Sequence, residues 1–360
     1  MAAIPSFYCL YYSDSPPPVS SFLWNYVYRP AFVWELVHLL WLPVALVFTL
    51  LGALFNLIRG QKNKGLQKLF KESRGFSRFL DLRIVALAIM LALAAYGYYR
   101  QLQPPEIRQV TVPIRDLNPS LYGYRIALLS DFHYGRGQNI TELAASMAMA
   151  AAQRPDLVIL AGDLVERKAA FGLDYRVPLL SLREVPGGVY AVLGNHDLEV
   201  DSVDALVANL EGLGLKVLRN SGAHVPNKPL TLLGFDDLGQ ESLTYHGQSG
   251  TLDFGGLGGQ TPRYGDLAVV VKHRPEGLED ASAVGIKLFL AGHTHGGQVQ
   301  APWAPQTNVA SFVFGYPYTV GLYTISELTL YVTGGLASGS QARFLAWPEI
   351  TILTLSDIPN

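Results

Sequence analysis

Cysteine is almost absent from this sequence, because Cys9 is the only one in 360 residues. A single cysteine excludes both an intrachain disulfide framework and a cysteine-based zinc site, so any metal site must use histidine, carboxylate or amide side chains. Charged residues are also scarce, at 16%, whereas hydrophobic residues make up 49% of the chain. Such an apolar composition is unusual for a soluble protein and indicates membrane segments.

Basic residues are in short supply after residue 100. Residues 101–360 contain 17 Lys and Arg against 25 Asp and Glu, whereas residues 1–100 contain ten against four. Nonspecific nucleic-acid binding depends on Lys and Arg contacts that release counterions from phosphates, so an acidic region is poorly suited to it. We therefore predict no nucleic-acid partner, and we regard the acidic region as a suitable host for cations.

Two long apolar runs occur in the first hundred residues. After an aromatic, proline-containing segment at residues 1–30, the 23 residues of Leu36–Ile58 contain no formal charge, which suffices to span a bilayer. The 16 residues of Ile84–Tyr99 form the second run, which is either a short span or a half-buried interfacial helix. Residues 31–100 are therefore predicted to form a transmembrane helical hairpin in the cell membrane.

The segment between the two runs predicts the orientation of the hairpin. Arg59–Arg83 contains eight basic and two acidic residues. Basic loops stay on the cytoplasmic side, so two spans would place the rest of the chain outside the cytoplasm. If the second run is only interfacial, the rest of the chain is cytosolic. Residues 101–121 are predicted to be a linker, and residues 122–360 a single domain.

The later sequence alternates between apolar strands and amphipathic helices. Strands are predicted in "YRIALLSD", "DLVILAGD", "GVYAVLGNHD", "DLAVVVKHRPE" and "IKLFLAGHTHGG", and helices in "TELAASMAMAAAQR" and "DSVDALVANLEGLG". A strand–helix–strand order predicts a parallel pair with a right-handed crossover. The tail "ELTLYVTGGL…PEITILTL" is predicted to form late antiparallel strands. The pattern indicates a layered α/β sandwich.

Polar residues follow these predicted strands directly. They are Asp131, His133, Asp163, Asn195, His196, Asp197, His273, His293 and His295. Each one alone is explained as well by a helix cap or a turn, but ligands of α/β sheets collect at the carboxyl ends of strands. Histidine and carboxylate ligands without cysteine suit Mn, Fe, Zn or Co. About seven ligands exceed one tetrahedral site and fit two octahedral-like sites that share a carboxylate.

Five motifs in order carry a family resemblance. "SDFHYG", "AGDLVE", "GNHD", "KHRPE" and "GHTHGGQV" resemble the blocks of the calcineurin-like metallophosphoesterases, over residues 122–356. The resemblance implies a four-layer α/β/β/α sandwich, here preceded by the predicted hairpin. The ending "GGLASGSQARFLAWPEITILTL" resembles the membrane-associated branch that includes UDP-2,3-diacylglucosamine hydrolase-like proteins.

The resemblance also implies a role for each site residue. One metal would be held by Asp131, His133 and His295, and the other by Asn195, His273 and His293, with Asp163 bridging them. His196 would act as the acid or as an electrostatic partner at the leaving-group oxygen and would be oriented by Asp197. Arg136, Arg274 and Arg343 are candidate substrate contacts.

The predicted function is that of a membrane-anchored phosphoesterase with two divalent cations, Mn²⁺ in the first place and Fe, Zn or Co as alternatives. It would cleave a phosphodiester or pyrophosphate bond with metal-activated water. The leading substrate is a lipid-linked nucleotide such as UDP-2,3-diacylglucosamine, of the lipid A precursor pathway. The alternatives are an extracytoplasmic phosphodiesterase with another substrate and a non-catalytic metal-binding scaffold on the same fold.

Overall fold

The computed structural model describes residues 85–358, except 86–87, 90, 94, 98, 101–102, 135–139, 167–174, 238–251, 302–303, 309, 312–314 and 338–342. The chain divides into two compact units, Met1–Arg100 and Gln101–Asn360. The residues of the first unit that are described are helical. Within the described part of the chain, no helix is both long enough and apolar enough to cross a bilayer. The predicted span Leu36–Ile58 and the basic loop Arg59–Arg83 lie outside the described residues, and Ile84–Tyr99 is described only in part.

A mixed six-stranded sheet forms the first half of the second unit. Its strands are β1 (Glu106–Arg115), β2 (Arg125–Leu129), β3 (Leu157–Ala161), β4 (Val189–Val192), β5 (Lys216–Val217) and β15 (Glu349–Ile358). The order across the sheet is β1-β15-β2-β3-β4-β5. Strands β2 to β5 are parallel, as the sequence predicts for β2 and β3, and β15 runs antiparallel to β2.

A second, seven-stranded sheet forms the other half. Its strands are β6 (Ser221–His224), β7 (Leu230–Phe235), β8 (Gly258–Gly259), β9 (Leu267–Lys272), β10 (Leu288–Ala291), β13 (Gly321–Ile325) and β14 (Leu328–Val332). The order across the sheet is β13-β14-β10-β9-β7-β6-β8, with β7, β9, β10 and β14 parallel to their neighbours in the centre. Two further strands, β11 (Gln300–Ala301) and β12 (Ala304–Asn308), form a separate small antiparallel pair.

Alternating side chains of the strands build the layers. Ile126 and Leu128 of β2 point into the core between the two sheets, where they join Val269 and Leu290 of the second sheet. Their neighbours on β2 point to the opposite face, as the two-residue period of a strand requires.

Helices cover both outer faces of this sandwich. The helices α1 (Ile140–Ala152), α2 (Arg176–Leu179) and α3 (Val203–Gly212) contribute buried side chains to the core on the outer face of the first sheet. Helix α4 (Leu278–Ala283) packs against the second sheet through Leu278 and Ala281. The order of layers is therefore α/β/β/α, as the family resemblance implies.

Two local predictions are corrected by the strand pairing. Residues 106–115, predicted to lie in a linker, form β1, which pairs in parallel with β15 from Glu106 opposite Glu349 to Arg115 opposite Ile358. Half of the residues of β1 are exposed and only Val112 and Ile114 are fully buried, so its sequence lacks the apolar run that marks a buried strand. The tail strands are also mixed rather than antiparallel, since β14 pairs in parallel with β10 and antiparallel with β13.

Candidate metal centre

The carboxyl ends of strands from both sheets meet at one edge of the sandwich. Strands β2, β3 and β4 of the first sheet and β9 and β10 of the second each end just before one of the predicted ligands. Parallel strands present their carboxyl ends at a common edge, which is why residues far apart in sequence converge there. The converging side chains that are buried to at least 96% are Asp131, His133, Asp163, Asn195 and His273.

The first cluster consists of Asp131, His133 and His295. Each residue offers one ligand atom, and these three atoms lie within 4.8 Å of one another. The Nε2 atom of His295 is 3.9 Å from Oδ1 of Asp131. The other oxygen of Asp131 accepts a hydrogen bond from the backbone N–H of His293 at 3.2 Å and one from the hydroxyl of Ser130. Asp131 is thereby fixed by one oxygen and presents the other to the cluster.

The second cluster consists of Asp163, His273 and His293, whose ligand atoms also lie within 4.8 Å of one another. The Nε2 atom of His273 is 3.1 Å from Oδ2 of Asp163. The Nδ1 atom of His293 is 3.2 Å from Nε2 of His273, so two ring nitrogens point at each other. A cation between them would use both lone pairs at once.

One oxygen of Asp163 connects the two clusters. Its Oδ2 atom lies 3.1 Å from Nε2 of His273 in the second cluster and 3.7 Å from Nε2 of His133 in the first. Its Oδ1 atom accepts a hydrogen bond from the backbone N–H of His196 at 3.0 Å, which fixes the carboxylate plane. Asp163 therefore occupies the position that a bridging ligand needs.

The hydrogen bonds of the outer ring nitrogens select which nitrogen faces inward. Nδ1 of His133 lies 2.9 Å from Oε2 of Glu166. Nδ1 of His273 and of His295 lie 2.7 Å and 2.8 Å from the carbonyls of Ala161 and Ala337. In these three histidines Nε2 is the inward nitrogen, because the outer partner holds Nδ1.

Three buried polar atoms of the predicted ligands lack a hydrogen-bond partner within the part of the chain that the structure describes. They are Oδ1 of Asp131, Nε2 of His133 and Oδ1 of Asn195. Buried polar atoms are rarely left unpaired, because each costs about 1–3 kcal/mol. Histidine nitrogens with carboxylate and amide oxygens are a donor set for divalent transition metals. The residues therefore fit two divalent cations.

The electrostatics of the two clusters are strongly coupled. Although burial opposes ionisation, the histidines around Asp163 hold the pKa of its carboxyl well below its usual range. Burial disfavours protonation of His273 too, but the adjacent Asp163 raises the pKa of His273 to about 10. Burial lowers the pKa of His295 to about 4, so this ring is neutral at pH 7, as metal ligation requires.

Backbone strain concentrates at the ligands. Five of the seven predicted metal ligands have positive φ, namely Asp131 at 56°, His133 at 45°, Asp163 at 51°, His293 at 70° and His295 at 50°. Non-glycine residues in this region cost on the order of 1–3 kcal/mol each and cluster at functional sites. The surrounding loops are also closely packed, since a Cβ atom at Gly194 would collide with the carboxylate of Asp163.

The "GHTH" segment distributes its histidines between the two clusters. Thr294, between them, has φ of −80° and donates its hydroxyl hydrogen bond to the carbonyl of Thr319 at 2.5 Å. Thr294 is anchored behind the loop, and the histidines on either side of it both have left-handed backbone conformations. His293 therefore lies in the second cluster and His295 in the first. A spacing of one residue therefore serves two sites.

The carboxylate beside His196 differs from the one predicted. Oε1 of Glu166 lies 3.2 Å from Nδ1 of His196, while its other oxygen contacts His133. Asp197, predicted to orient His196, instead accepts hydrogen bonds from the backbone N–H groups of Gly194 and Val165 at 2.8 Å and 2.9 Å. Asp197 thus holds the loop, because its side chain is fully buried among backbone donors.

Glu166 is the functional residue that the sequence pattern leaves unassigned. It follows Asp163 by three residues within "AGDLVE", and that spacing past the strand end was the available signal. Despite burial, hydrogen bonds from His133 and His196 hold the pKa of Glu166 well below its usual range. An ionised Glu166 is therefore shared by a predicted metal ligand and the predicted acid.

Two of the three predicted substrate-contacting arginines lie within the described residues, and both are buried. Arg343 is 1% exposed, and its guanidinium donates to the carbonyls of Gly334, Gly335 and Ala337. Burial among carbonyls makes it a support for that loop, and its role as a substrate contact stays a prediction. Arg274 is also buried and pairs with Asp237 at 3.3 Å, beside the second cluster. Arg136 lies outside the described residues.

Comparison with known proteins gives the same family as the motifs. Residues 124–297 match the family model described as calcineurin-like phosphoesterase. Relatives named "Transmembrane protein with metallophosphoesterase domain" are 32% identical in Danio rerio, over 76% of this chain and 62% of the relative, and 33% identical in Bos taurus, over 79% and 64%. The matched region thus spans less than two thirds of these two relatives.

A bacterial relative is matched over almost its full length. "Phosphodiesterase YaeI" of Escherichia coli (strain K12) is 26% identical over 77% of this chain and 98% of the relative. The matched residues 124–297 include all seven predicted metal ligands, so the part of the chain that builds both clusters is similar to the calcineurin-like phosphoesterases.

Proposed function

We propose that this protein is a dinuclear-metal hydrolase that cleaves a phosphodiester or pyrophosphate bond. The observation that carries the proposal is the position of Asp163, whose Oδ2 atom faces the inward nitrogens of His133 and His273 at 3.7 Å and 3.1 Å. Around it, the first site consists of Asp131, His133 and His295, and the second of Asn195, His273 and His293. We propose Mn²⁺ as the cation, with Fe, Zn or Co as alternatives.

The ligand set determines what the cations would do. Two bound divalent cations stabilise both the attacking and the leaving oxygen of an in-line displacement and lower the pKa of water. The chain contributes rigid placement, because Asp131 and Asp163 are each tied to backbone N–H groups by the oxygen that does not face the clusters. Preorganised ligands of this kind need no rearrangement as charge develops in the transition state.

We propose His196 as the group that protonates the leaving oxygen. Its side chain is 22% exposed, whereas that of His133 is 1% exposed, so it is the histidine of this group that substrate can reach. Glu166 holds Nδ1 of His196, which leaves Nε2 for the substrate and stabilises the protonated ring. General acid catalysis of this kind contributes about 10²–10⁴-fold to a rate.

The substrate class rests on two further observations. The Escherichia coli relative is named a phosphodiesterase, and the vertebrate relatives are named transmembrane proteins. In this chain the helical residues Val85, Ile89, Tyr96 and Tyr99 are apolar and 46–57% exposed. We therefore propose that the protein is attached to the cell membrane and acts on a lipid-linked diester or pyrophosphate, with UDP-2,3-diacylglucosamine as the leading candidate.

The basic segment Arg59–Arg83 favours a second candidate, an extracytoplasmic phosphodiesterase. A cytoplasmic basic loop between two spans would place the domain outside, away from a cytosolic nucleotide lipid. A phosphatase reporter fused after Asn360 decides between them: activity on the extracytoplasmic side would exclude the nucleotide lipid as substrate.

Turnover by the detergent-solubilised full-length protein tests the proposal directly. With Mn²⁺ present, we expect hydrolysis of bis-p-nitrophenyl phosphate and of UDP-2,3-diacylglucosamine, both abolished in Asn195→Ala. Hydrolysis of the generic diester alone would retain the two-metal reaction and reject the lipid nucleotide. Stoichiometric metal without turnover of any phosphodiester would replace the hydrolase with a metal-binding scaffold.

A further inference from the structure

Tyr316 lies outside every motif of the sequence, yet its hydroxyl contacts a metal ligand. The hydroxyl oxygen is 2.9 Å from Nε2 of His293, and the two rings are 5.6 Å apart at their centroids with a tilt of 58°. Tyr316 is 4% exposed, so the contact is shielded from water. A buried hydroxyl at hydrogen-bond distance from a ligand nitrogen constrains both the orientation and the tautomer of the ring.

The geometry of His293 determines which tautomer this contact favours. Its Nδ1 atom faces Nε2 of His273 at 3.2 Å and is therefore the inward nitrogen. A neutral imidazole whose Nδ1 lone pair faces inward carries its proton on Nε2, where the Tyr316 oxygen can accept it. His293 is thus oriented in the reverse sense to His133, His273 and His295, which all present Nε2.

Tyr316 also differs from the partners of the other ligand histidines. His273 and His295 are held by the backbone carbonyls of Ala161 and Ala337, which come with the strand and loop geometry. His133 is held by the charged carboxylate of Glu166. For His293 the outer partner is a neutral side chain, so its contribution can be removed without changing charge or backbone.

We propose that Tyr316 is a positioning residue that holds His293 with Nδ1 free, and that it thereby strengthens the second metal site without affecting the first. This inference rests on the two-metal site proposed above. Outer hydrogen-bond partners of ligating histidines typically contribute 10–100-fold to metal affinity. His293 belongs to the cluster of Asp163 and His273 and not to that of Asp131, so the effect should be confined to one site.

The test is a calorimetric titration of metal-free full-length Tyr316→Phe with Mn²⁺. We expect the dissociation constant of the second site to rise about 10–100-fold while that of the first changes less than about twofold. Tyr323→Phe is the matched control, because its hydroxyl accepts from the backbone N–H groups of Thr319 and Val320 in the same loop region. This control should retain both affinities.

A second measurement is independent of affinity. In Zn²⁺-loaded protein labelled with ¹⁵N-histidine, wild-type His293 should show a slowly exchanging Nε2–H, and Tyr316→Phe should show faster exchange at that nitrogen alone. Circular dichroism of each variant checks that it is folded.

The outcomes separate this inference from the function on which it rests. Unchanged affinities in Tyr316→Phe, with two Mn²⁺ still bound, would overturn the role of Tyr316 and leave the two-metal site intact. Equal weakening in Tyr316→Phe and Tyr323→Phe would also overturn it, since loop packing would then be the cause. A wild-type protein that binds no Mn²⁺ would overturn the proposed function itself.

Discussion

The two ligand clusters share Asp163 but differ in what holds them from behind. In the first, the partner of His133 is the carboxylate of Glu166, which also contacts His196 at 3.2 Å. In the second, His293 is held by the neutral hydroxyl of Tyr316 at 2.9 Å. The two sites therefore differ in how they depend on charge. The first site shares the charged carboxylate of Glu166 with the proposed acid, whereas the orientation of His293 in the second site depends on a neutral hydrogen bond.

Asp163→Asn should weaken both clusters at once, because Oδ2 of Asp163 faces a histidine of each cluster. We expect both Mn²⁺ affinities to fall, and the loss of several kcal/mol of charge stabilisation lowers kcat by about 10³-fold or more. Metal content by mass spectrometry and turnover of bis-p-nitrophenyl phosphate measure the two effects. The exposed Asp201→Asn is the charge-matched control. Retention of one tightly bound metal would show that Asp163 belongs to a single site.

Glu166→Gln should affect the first cluster and leave the second unchanged, since it removes the carboxylate charge that contacts both His133 and His196. We expect kcat to fall about 10²-fold with little change in KM, because the protonated form of His196 loses its partner. The first-site Mn²⁺ affinity should fall about tenfold and the second should not change. Asp197→Asn is the contrasting variant, since Asp197 contacts backbone N–H groups. A loss of turnover in Asp197→Asn at unchanged stability would return the orienting role to Asp197.

The sequence was sufficient to bring the ligands together, because parallel strands leave their carboxyl ends at one edge. Asp131, Asp163 and Asn195 each follow a short apolar run that can be recognised as a buried strand. The continuous apolar run Ile126–Leu129 likewise predicts a sheet that is covered on both faces. Local pattern thus predicts the strands and the edge of the sheet where the candidate ligands lie, whereas the four-layer order was implied by the family resemblance.

The local sequence pattern could not predict contacts between segments that are far apart in the chain. Strand β1 pairs with β15, more than 200 residues later, and its few inward side chains give no apolar run. Tyr316 meets His293 through a loop whose path the sequence does not specify. Nothing local in the sequence shows that the guanidinium of Arg343, a candidate substrate contact, donates to the carbonyls of Gly334, Gly335 and Ala337. In each case tertiary packing decides what a side chain faces.

Removal of the metals tests how far both clusters depend on them. At a ligand concentration of 100 Kd, each bound ion stabilises the fold by about 2.7 kcal/mol, so chelation of both proposed Mn²⁺ ions should lower Tm by roughly 10–20 °C. The sign follows from mass action, because the ligands of each site are brought together only in the folded chain and the cations therefore bind the folded state. Thermal unfolding of the wild type with and without EDTA, followed by Mn²⁺ readdition, measures the shift. Asp163→Asn should show almost no shift, and a full shift in that variant would place the stabilising metal elsewhere.

Thr294→Val should produce the smallest and most symmetrical effect. Its hydroxyl donates to the carbonyl of Thr319 behind the "GHTH" loop, and the loss of that buried hydrogen bond costs about 1 kcal/mol. Because Thr294 separates His293 from His295, a looser loop should weaken both Mn²⁺ sites by the same small factor, measured by titration. Glu166→Gln and Tyr316→Phe are each expected to weaken Mn²⁺ binding at one site only. If Thr294→Val weakens both sites equally, the site selectivity of those two variants arises from the outer hydrogen bonds that they remove, and not from a general loosening of the loop. A one-sided response would instead mean that the loop positions only one of its two histidines.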